Sequence, residues 1–242
     1  MNRIINPFVY TRIDEQNMPQ PTLPAWLNES YAQVYDDIIV ENLFLAQFVR
    51  GGYIPNSIAY IEIGANHPVC TSSTYLMYRK HGLRGILVEP NPELAANLRK
   101  FRPEDVIVEA AVVASDVKEI DFYLSPENEI SSAEKSFVER WKNGATGIQE
   151  KITVKTIRAN QLLDMVNEAE LVYLSVDVEG LDYEILCDID YSTHRPYIIQ
   201  VEPSDHFIPN NSSRIMQFMV EKDYLLICQN QTNQFYLDKR RL

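Results

Sequence analysis

The sequence has few cysteines and no long apolar run. Its three cysteines, Cys70, Cys187 and Cys228, are widely spaced and form no CxxC pair. This spacing excludes a zinc ribbon or a disulfide framework and predicts a reducing, cytoplasmic location. No apolar run approaches the roughly 20 residues that cross a bilayer, and the N-terminus lacks the apolar segment of a signal peptide. We therefore expect no membrane span.

Basic residues are also scarce. The chain has 22 Lys and Arg against 34 Asp and Glu, which gives a net charge of −12. A field of this sign repels polyanions on average. The one basic cluster, "DKRRL" at the C-terminus, is typical of a solvated tail. The sequence therefore predicts that nucleic acid is not a partner.

Two regions differ in their patterning. Residues 1–50 begin with a proline-rich stretch and continue with helical spacing of apolar residues at 31–49. We interpret them as an N-terminal arm and a helix packed on the core. The arm would lie on the body or on a partner chain, so assembly into a homo-oligomer through the arm is one hypothesis. Residues 51–242 form the predicted main domain.

In the main domain, short β-rich runs alternate with helical segments. Strands are predicted at 57–63, 85–89, 106–113, 119–125, 151–157, 171–180 and 196–203. Near-continuous apolar strands that alternate with helices predict an α/β fold, Rossmann-like and doubly wound, with a mostly parallel sheet covered on both faces. The stretch "YLLICQNQTNQFYLD" predicts a C-terminal antiparallel hairpin. A polar segment at about 126–150 interrupts the alternation and predicts a lid-like insertion.

Acidic residues follow most of the predicted strands. In doubly wound sheets the ligand binds beyond the carboxyl ends of the strands. The acids at these ends are Glu62, Glu89, Glu109, Asp177 with Glu179, and Glu202. Like charges in one crevice repel each other, and a cationic or hydroxyl-rich ligand would relieve that repulsion. The sequence therefore predicts an acidic ligand site.

Glu89 ends the second predicted strand, where a carboxylate can accept hydrogen bonds from the hydroxyls of a ribose. The alternative role for Glu89 is to cap the helix that follows. Asn91 serves as that cap better, because it lies just before Pro92. We therefore predict a nucleoside contact at Glu89, with Pro90 and Asn91 beside it.

The loop after the first strand, "GANHP", contains one glycine, Gly64. A pyrophosphate needs a GxGxxG loop that opens into a helix, whereas Asn66 and Pro68 occupy the later positions here. Pro68 also removes a backbone donor. The loop suits a nucleoside without a pyrophosphate, such as S-adenosylmethionine, whose cationic half would face Glu62 and Glu179. A nucleotide-cofactor (NAD-type) oxidoreductase with an eroded fingerprint remains the alternative.

Several motifs occur in a consistent order between residues 57 and 203: "YIEIGANHP", "GILVEPNPELAANLRKF", "TIRANQLL", "LSVDVEGLDYEIL" and "IIQVEP". This set resembles the FkbM-type methyltransferases, which are class I S-adenosylmethionine-dependent enzymes. The resemblance implies a seven-stranded sheet and methyl transfer to a hydroxyl, mostly of a sugar in a glycan or glycosylated metabolite. His67-Pro68 departs from the family, where many members have a further glycine.

The resemblance also implies a role for each matched position. It implies a methionine site at Glu62, Gly64, Ala65 and Asn66, a ribose site at Glu89, an adenine site at Glu109 and Ala110, a methyl and acceptor site at Asp177 and Glu179, and a cover over the cofactor at Ser131 and Ser132.

His206 is the predicted general base, because imidazole titrates near neutrality and this residue follows the last strand end in "VEPSDH". Asp205 or Glu202 would orient the ring. Asp177, Glu179, Glu202 and His206 could instead ligate Mg²⁺ or Mn²⁺, since hard oxygen ligands suit these ions. A non-catalytic relative that binds the nucleoside is a third alternative.

Overall fold

A computed structural model describes residues 30–44, 58–140, 147–166 and 171–241. Residues 1–29 of the arm predicted at 1–30 lie outside the described residues, as does the proposed boundary at residue 50. The helix predicted at 31–49 is present as α1, Asp36–Phe44. In these described ranges, no helix is long and apolar enough to cross a membrane.

The described residues form ten strands and seven α-helices. The strands are β1 (Ile58–Ile63), β2 (Arg84–Val88), β3 (Val106–Val108), β4 (Ala111–Val112), β5 (Glu119–Leu124), β6 (Glu150–Ile157), β7 (Tyr173–Val176), β8 (Ile198–Val201), β9 (Tyr224–Gln229) and β10 (Gln234–Asp238). The helices after α1 are α2 (Tyr75–His81), α3 (Pro92–Phe101), α4 (Lys135–Arg140), α5 (Ala159–Leu163), α6 (Asp182–Asp188) and α7 (Asn211–Glu221).

The main sheet has seven strands in the order β3-β2-β1-β7-β8-β10-β9. The first five of these strands run parallel to one another. β10 runs antiparallel to both β8 and β9. The topology confirms the predicted doubly wound, mostly parallel seven-stranded sheet and its C-terminal antiparallel hairpin.

Apolar side chains from both faces of this sheet are buried against helices. Ile61 and Ile63 of β1 belong to a core cluster that includes residues of α5, α6 and α7. Tyr60 of β1 faces the other way and packs with residues of α1, α2 and α3. Because successive strand residues point to opposite faces, continuous apolar strands fill both cores. The helices thus leave the carboxyl ends of the strands as the place for a site.

The strand predicted at 106–113 is wrong as a single element. It is split into β3, which pairs with β2, and β4, which pairs with β6. Since β6 belongs to a separate three-stranded sheet, β4-β6-β5, one straight strand cannot pair with both neighbours. The chain therefore turns at Glu109 and Ala110.

The segment predicted as a lid-like insertion follows β5. It contains a 3-10 turn at Asn128–Ile130 and the short helix α4. A backbone bridge between Tyr123 and Ser132 fastens its first half to β5. Movement of this segment as a lid stays a prediction.

Candidate functional site

A pocket opens at the carboxyl ends of the parallel strands. Residues at the ends of β1, β2, β7 and β8 line it, and the segment after β5 forms one wall. Most residues predicted for the site line this pocket: Gly64, Asn66, Glu89, Pro90, Ala110, Ser131, Asp177, Glu179, Glu202 and His206. Residues from distant parts of the sequence therefore meet at one edge of the sheet, as their positions after strands predict. Ser131, in the segment after β5, is the one that only the family resemblance implies.

Gly64 lets the ends of β1 and β7 approach each other. Its φ is +81°, in the region that favours glycine, and a Cβ atom at this position would lie 1.7 Å from the carbonyl oxygen of Asp177. The backbone amides of Gly64 and Ala65 both donate to the carbonyl of Val88 at 3.0 Å. The single glycine of the loop is therefore fixed by the packing of three strand ends.

Glu62 does not line the pocket, which corrects its predicted contact with the methionine part of a cofactor. Its side chain is buried on the opposite face of β1 from Ile63. The carboxylate accepts hydrogen bonds from the Ser73 amide at 2.8 Å and from the hydroxyls of Ser72 and Thr74. Glu62 therefore holds the chain where it enters α2.

A buried arginine supports the loop that follows β1. Arg102 is 0% exposed and forms an ion pair with Asp105 at 2.7 Å. Its guanidinium also donates to the Pro68 carbonyl at 3.2 Å and to the Tyr60 hydroxyl at 2.8 Å. Because these contacts come from β1 and from the end of α3, they tie the loop to the sheet.

His67 fixes the same loop from inside. Its Nδ1 accepts hydrogen bonds from the backbone amides of Val69 and Cys70, at 3.1 and 2.8 Å. Burial lowers the pKa of His67 to about 4, so the ring is neutral at pH 7. The His67 ring and the Pro68 carbonyl thus each fix the loop through hydrogen bonds, at positions where a glycine would leave it flexible.

Glu89 lies in the pocket wall and is buried. Its Oε2 accepts from the Asn66 amide at 2.9 Å, and its Oε1 accepts from the Asn91 amide at 2.8 Å. Burial raises the pKa of Glu89 to about 7, although both hydrogen bonds oppose the rise. The carboxylate is therefore held rigidly between the loops that follow β1 and β2.

Four other predicted residues lie off the pocket: Ala65, Asn91, Glu109 and Ser132. Asn91 caps α3, since its side chain accepts from the Glu93 amide at 3.0 Å. Glu109 is 40% exposed in its side chain and pairs with Arg99 at 2.9 Å, so its predicted place beside adenine is corrected. Its neighbour Ala110 lines the pocket instead, together with Ala111 and Val112 of β4.

Three carboxyl groups gather at the ends of β7 and β8. Oxygens of Asp177, Glu179 and Glu202 all lie within 4.8 Å of one another. Burial raises the pKa of Asp177 to about 6, and burial together with mutual repulsion raises the pKa values of Glu179 and Glu202 well above the usual range. Because like charges this close repel one another, the three groups do not all ionise near neutral pH. Asp177, whose pKa of about 6 lies below 7, is the member that can accept a proton there.

The backbone at Glu179 is held in an unusual conformation. Its φ is +59°, and its carbonyl accepts a hydrogen bond from the Ser132 hydroxyl at 2.9 Å. The flanking amides of Val178 and Gly180 both donate to the Asp182 carboxylate, at 3.0 and 3.1 Å. Ser132 thus lies beneath the site and links the segment after β5 to the carboxyl cluster.

His206 lines the rim of the pocket. Its ring centroid lies 4.3 Å from that of Phe207, which in turn lies 4.4 Å from that of Phe137 on α4. Partial burial lowers the pKa of His206, against the opposing effect of Asp205. The imidazole is therefore neutral at pH 7 and can accept a proton.

The carboxyl cluster also has the chemistry of a metal site. Three carboxylates with converging oxygens are the hard ligands that Mg²⁺ and Mn²⁺ prefer. Among the described residues His206 is not part of this group of converging ligands. A divalent cation would therefore be held by Asp177, Glu179 and Glu202 without the predicted imidazole.

Sequence patterns did not indicate several residues that line the pocket, among them Gln33, Thr71 and Glu129. Gln33 precedes α1, and no sequence signal connects it to a strand end. Glu129 lies in the segment that the polar stretch "PENEISS" marks, two residues before Ser131. The segment was recognisable, but the residue within it was not.

Comparison with known proteins identifies the family. The family model described as the methyltransferase FkbM domain matches residues 62–226. The sequence has no match among curated proteins. Among solved structures, the methyltransferase FkbM from Methylobacillus flagellatus KT is similar at 11% identity with a TM-score of 0.46; the similarity covers 80% of this chain but only 47% of that one.

Two further structures are similar at the same low level of identity. A putative O-methyltransferase from Klebsiella pneumoniae is 10% identical with a TM-score of 0.42, over 89% of this chain and 83% of that one. An O-methyltransferase from Bacillus cereus in complex with SAH is 11% identical with a TM-score of 0.38, over 95% and 93%. The family match extends from β1 into β9, more than half of the sequence, and the chain therefore belongs to the FkbM methyltransferase family.

Proposed function

We propose that this chain transfers a methyl group from S-adenosylmethionine to a hydroxyl group of a sugar in a glycan or glycosylated metabolite. The observation that carries the proposal is the geometry of Glu89, whose two carboxylate oxygens each accept one backbone amide inside the pocket. A carboxylate offers about four acceptor positions. Positions therefore remain for the two hydroxyls of a ribose.

The rest of the pocket suits the other parts of this methyl donor. Ala110, Val112 and Phe122 form an apolar wall for adenine. The loop with Gly64 and Asn66 would hold the methionine part. S-adenosylmethionine supplies a methyl group on a sulfonium cation, which the neighbouring carboxylates would favour electrostatically.

An NAD-type cofactor suits the pocket less well. Its pyrophosphate needs a glycine-rich cradle or basic side chains. The described residues that line the pocket include no Lys or Arg, and Pro68 removes an amide from the loop. The same lack of basic groups favours an uncharged polyhydroxyl acceptor over a phosphorylated one.

We propose His206 as the general base for the acceptor hydroxyl. Its pKa is lowered, so the neutral ring can accept a proton at pH 7. Asp177, in the carboxyl pair that it forms with Glu202, is the alternative base, because burial raises its pKa to about 6 and brings it closer to the operating pH. Glu179 would face the methyl group and acceptor beside this pair.

A bound divalent cation is a second candidate for activating the acceptor. The converging oxygens of Asp177, Glu179 and Glu202 favour it. In that case chelation would abolish activity, and added Mg²⁺ or Mn²⁺ would restore it. Activity that survives chelation would exclude a catalytic role for a divalent cation.

Turnover tests the proposal directly. The chain is incubated with S-adenosylmethionine and a panel of monosaccharides and oligosaccharides, and formation of S-adenosylhomocysteine is measured by mass spectrometry. With a productive acceptor, we expect His206→Ala to lower the rate by about 10²- to 10⁴-fold, the range of general-base contributions. Lys135→Ala, an exposed position of α4 that does not line the pocket, is the control and should retain most activity. An unchanged rate in His206→Ala would assign the base to the carboxyl pair.

A further inference from the structure

Glu129 is held in the pocket wall by a turn that the catalytic proposal does not use. It lies in the 3-10 turn Asn128–Ile130, which is closed by hydrogen bonds from Ile130 to Glu127 and from Ser131 to Asn128, both 3.1 Å. Ile130 is buried and anchors the turn. The carboxyl group of Glu129 therefore lines the pocket from a fixed backbone.

One oxygen of this carboxyl group has no internal partner. Oε2 of Glu129 is buried, and no group in the described parts of the chain forms a hydrogen bond with it. The carboxyl group receives a hydrogen bond from its own backbone amide, but burial still raises its pKa. Since a buried carboxylate oxygen without a donor is unfavourable, the geometry points to a donor that arrives with a ligand.

The neighbours of Glu129 indicate which end of the pocket it serves. The segment is joined to the end of β7, because the Ser132 hydroxyl donates to the Glu179 carbonyl at 2.9 Å. Burial raises the pKa values of Glu179 and of Cys70, in the loop after β1, and the nearby charge of Glu129 adds to both shifts. Glu129 therefore lies near the end of β7 and the loop that would hold methionine.

We propose that Glu129 binds the α-ammonium group of the methyl donor, a role that rests on the proposed function. An ammonium group brings three donors and a positive charge, and a charge-assisted hydrogen bond is the strong kind. Glu62, the acid of the loop motif, is occupied by Ser72, Ser73 and Thr74. The insertion after β5 supplies the acid in its place.

Calorimetry with two ligands tests this role. S-adenosylhomocysteine carries the ammonium group, whereas 5′-methylthioadenosine has the same nucleoside without the amino-acid part. We expect Glu129→Gln to weaken binding of the first ligand by about tenfold or more and to change binding of the second by less than about twofold. Glu127→Gln, in the same segment but off the pocket, is the matched control and should change neither.

The other outcomes overturn the proposal in distinguishable ways. Equal weakening of both ligands would mean that Glu129 only shapes the pocket, and no weakening of either would mean that it contacts neither. If the wild-type chain binds neither ligand, the proposed methyl transfer from S-adenosylmethionine is itself wrong. A measurement on the wild type guards against a misfolded variant: S-adenosylhomocysteine without its α-amino group should bind as weakly as the intact ligand binds to Glu129→Gln.

Discussion

Two glycines of the chain have similar backbone angles but different surroundings. Gly64 has φ +81° and Gly82 has φ +66°. A Cβ atom at residue 64 would overlap the Asp177 carbonyl, whereas one at residue 82 would meet no atom within 4 Å. The pair separates the strain of a left-handed backbone from the effect of a steric clash.

We predict that Gly64→Ala destabilises the chain far more than Gly82→Ala. The second substitution carries only the left-handed strain of about 1–2 kcal/mol. The first adds a clash between two strand ends, and such overpacking typically costs a further 1–3 kcal/mol or so. Urea denaturation of both variants measures the difference in the free energy of unfolding. Equal effects would show that the β1 and β7 ends do not meet at Gly64.

The sequence predicts individual residues of the pocket where they directly follow a strand of the main sheet. Glu89, Asp177, Glu179 and Glu202 meet in the pocket because the parallel sheet aligns their strands. Glu62 and Glu109 also lie at strand ends, but Glu62 is buried against the start of α2 and Glu109 pairs with Arg99 at the surface. The direction of a side chain at a strand end depends on the residue at which strand pairing stops. The apolar pattern of the sequence does not identify that residue. Glu129 follows no strand of the main sheet, so this rule could not find it.

The loop between β1 and α2 is held by an element that lies behind it. Arg102, at the end of α3, joins the Pro68 carbonyl to Asp105 and to the Tyr60 hydroxyl. The guanidinium and its partner carboxylate are both 0% exposed in their side chains. Loss of one member of such a pair leaves the other charge buried without compensation.

We therefore predict that Arg102→Ala lowers the free energy of unfolding by about 3–5 kcal/mol. Arg84→Ala is the matched control, because Arg84 pairs at 2.6 Å with Glu104, whose side chain is 57% exposed. Because that pair lies largely in solvent, its loss should lower the free energy of unfolding much less. Chemical denaturation distinguishes the two, and a loss below that of the control would contradict a supporting role for Arg102.

Most elements could be predicted, and those that were missed have physical reasons. β1, β2, α3 and β7 have strong apolar patterns or a clear Asn91-Pro92 start. α7 was missed because its fully buried apolar stripe is narrow, with Ile215 and Met219 facing the core. The break between β3 and β4 has no glycine or proline to mark it. It exists because β6 pairs with β4, a contact between residues distant in sequence.

Carboxyl groups with raised pKa values dominate the electrostatics of the whole molecule. Burial raises the pKa of Glu89 to about 7 from 4.5, and that of Asp177 to about 6 from 3.8. Asp182, beneath the cluster, is raised to about 7 from 3.8. In this interval the folded chain binds protons that the unfolded chain has already released. Its stability therefore falls as the pH rises through these values.

We predict that the protein without ligand has a higher free energy of unfolding near about pH 5.5 than near about pH 8. The stabilising effect of the raised acid pKa values is present at low pH and is lost as the groups ionise. The net charge of −12 acts in the same direction, because self-repulsion grows as acids ionise. The lowered pKa of His67 acts in the opposite sense, but it is one group against Glu89, Asp177 and Asp182. Urea titrations at the two pH values measure the difference in the free energy of unfolding. A higher stability at the upper value would contradict the burial of these carboxyl groups.

Calorimetric titration of the whole chain tests whether the pocket holds a nucleoside methyl donor. We expect S-adenosylhomocysteine to bind with micromolar or tighter affinity and NAD to produce no binding heat. Glu89→Ala should weaken the binding of S-adenosylhomocysteine by about tenfold or more, because the ribose loses a charged acceptor. Binding of NAD in place of S-adenosylhomocysteine, or tight binding that is unchanged in Glu89→Ala, would show that the pocket is not the site of a methyl donor held through Glu89.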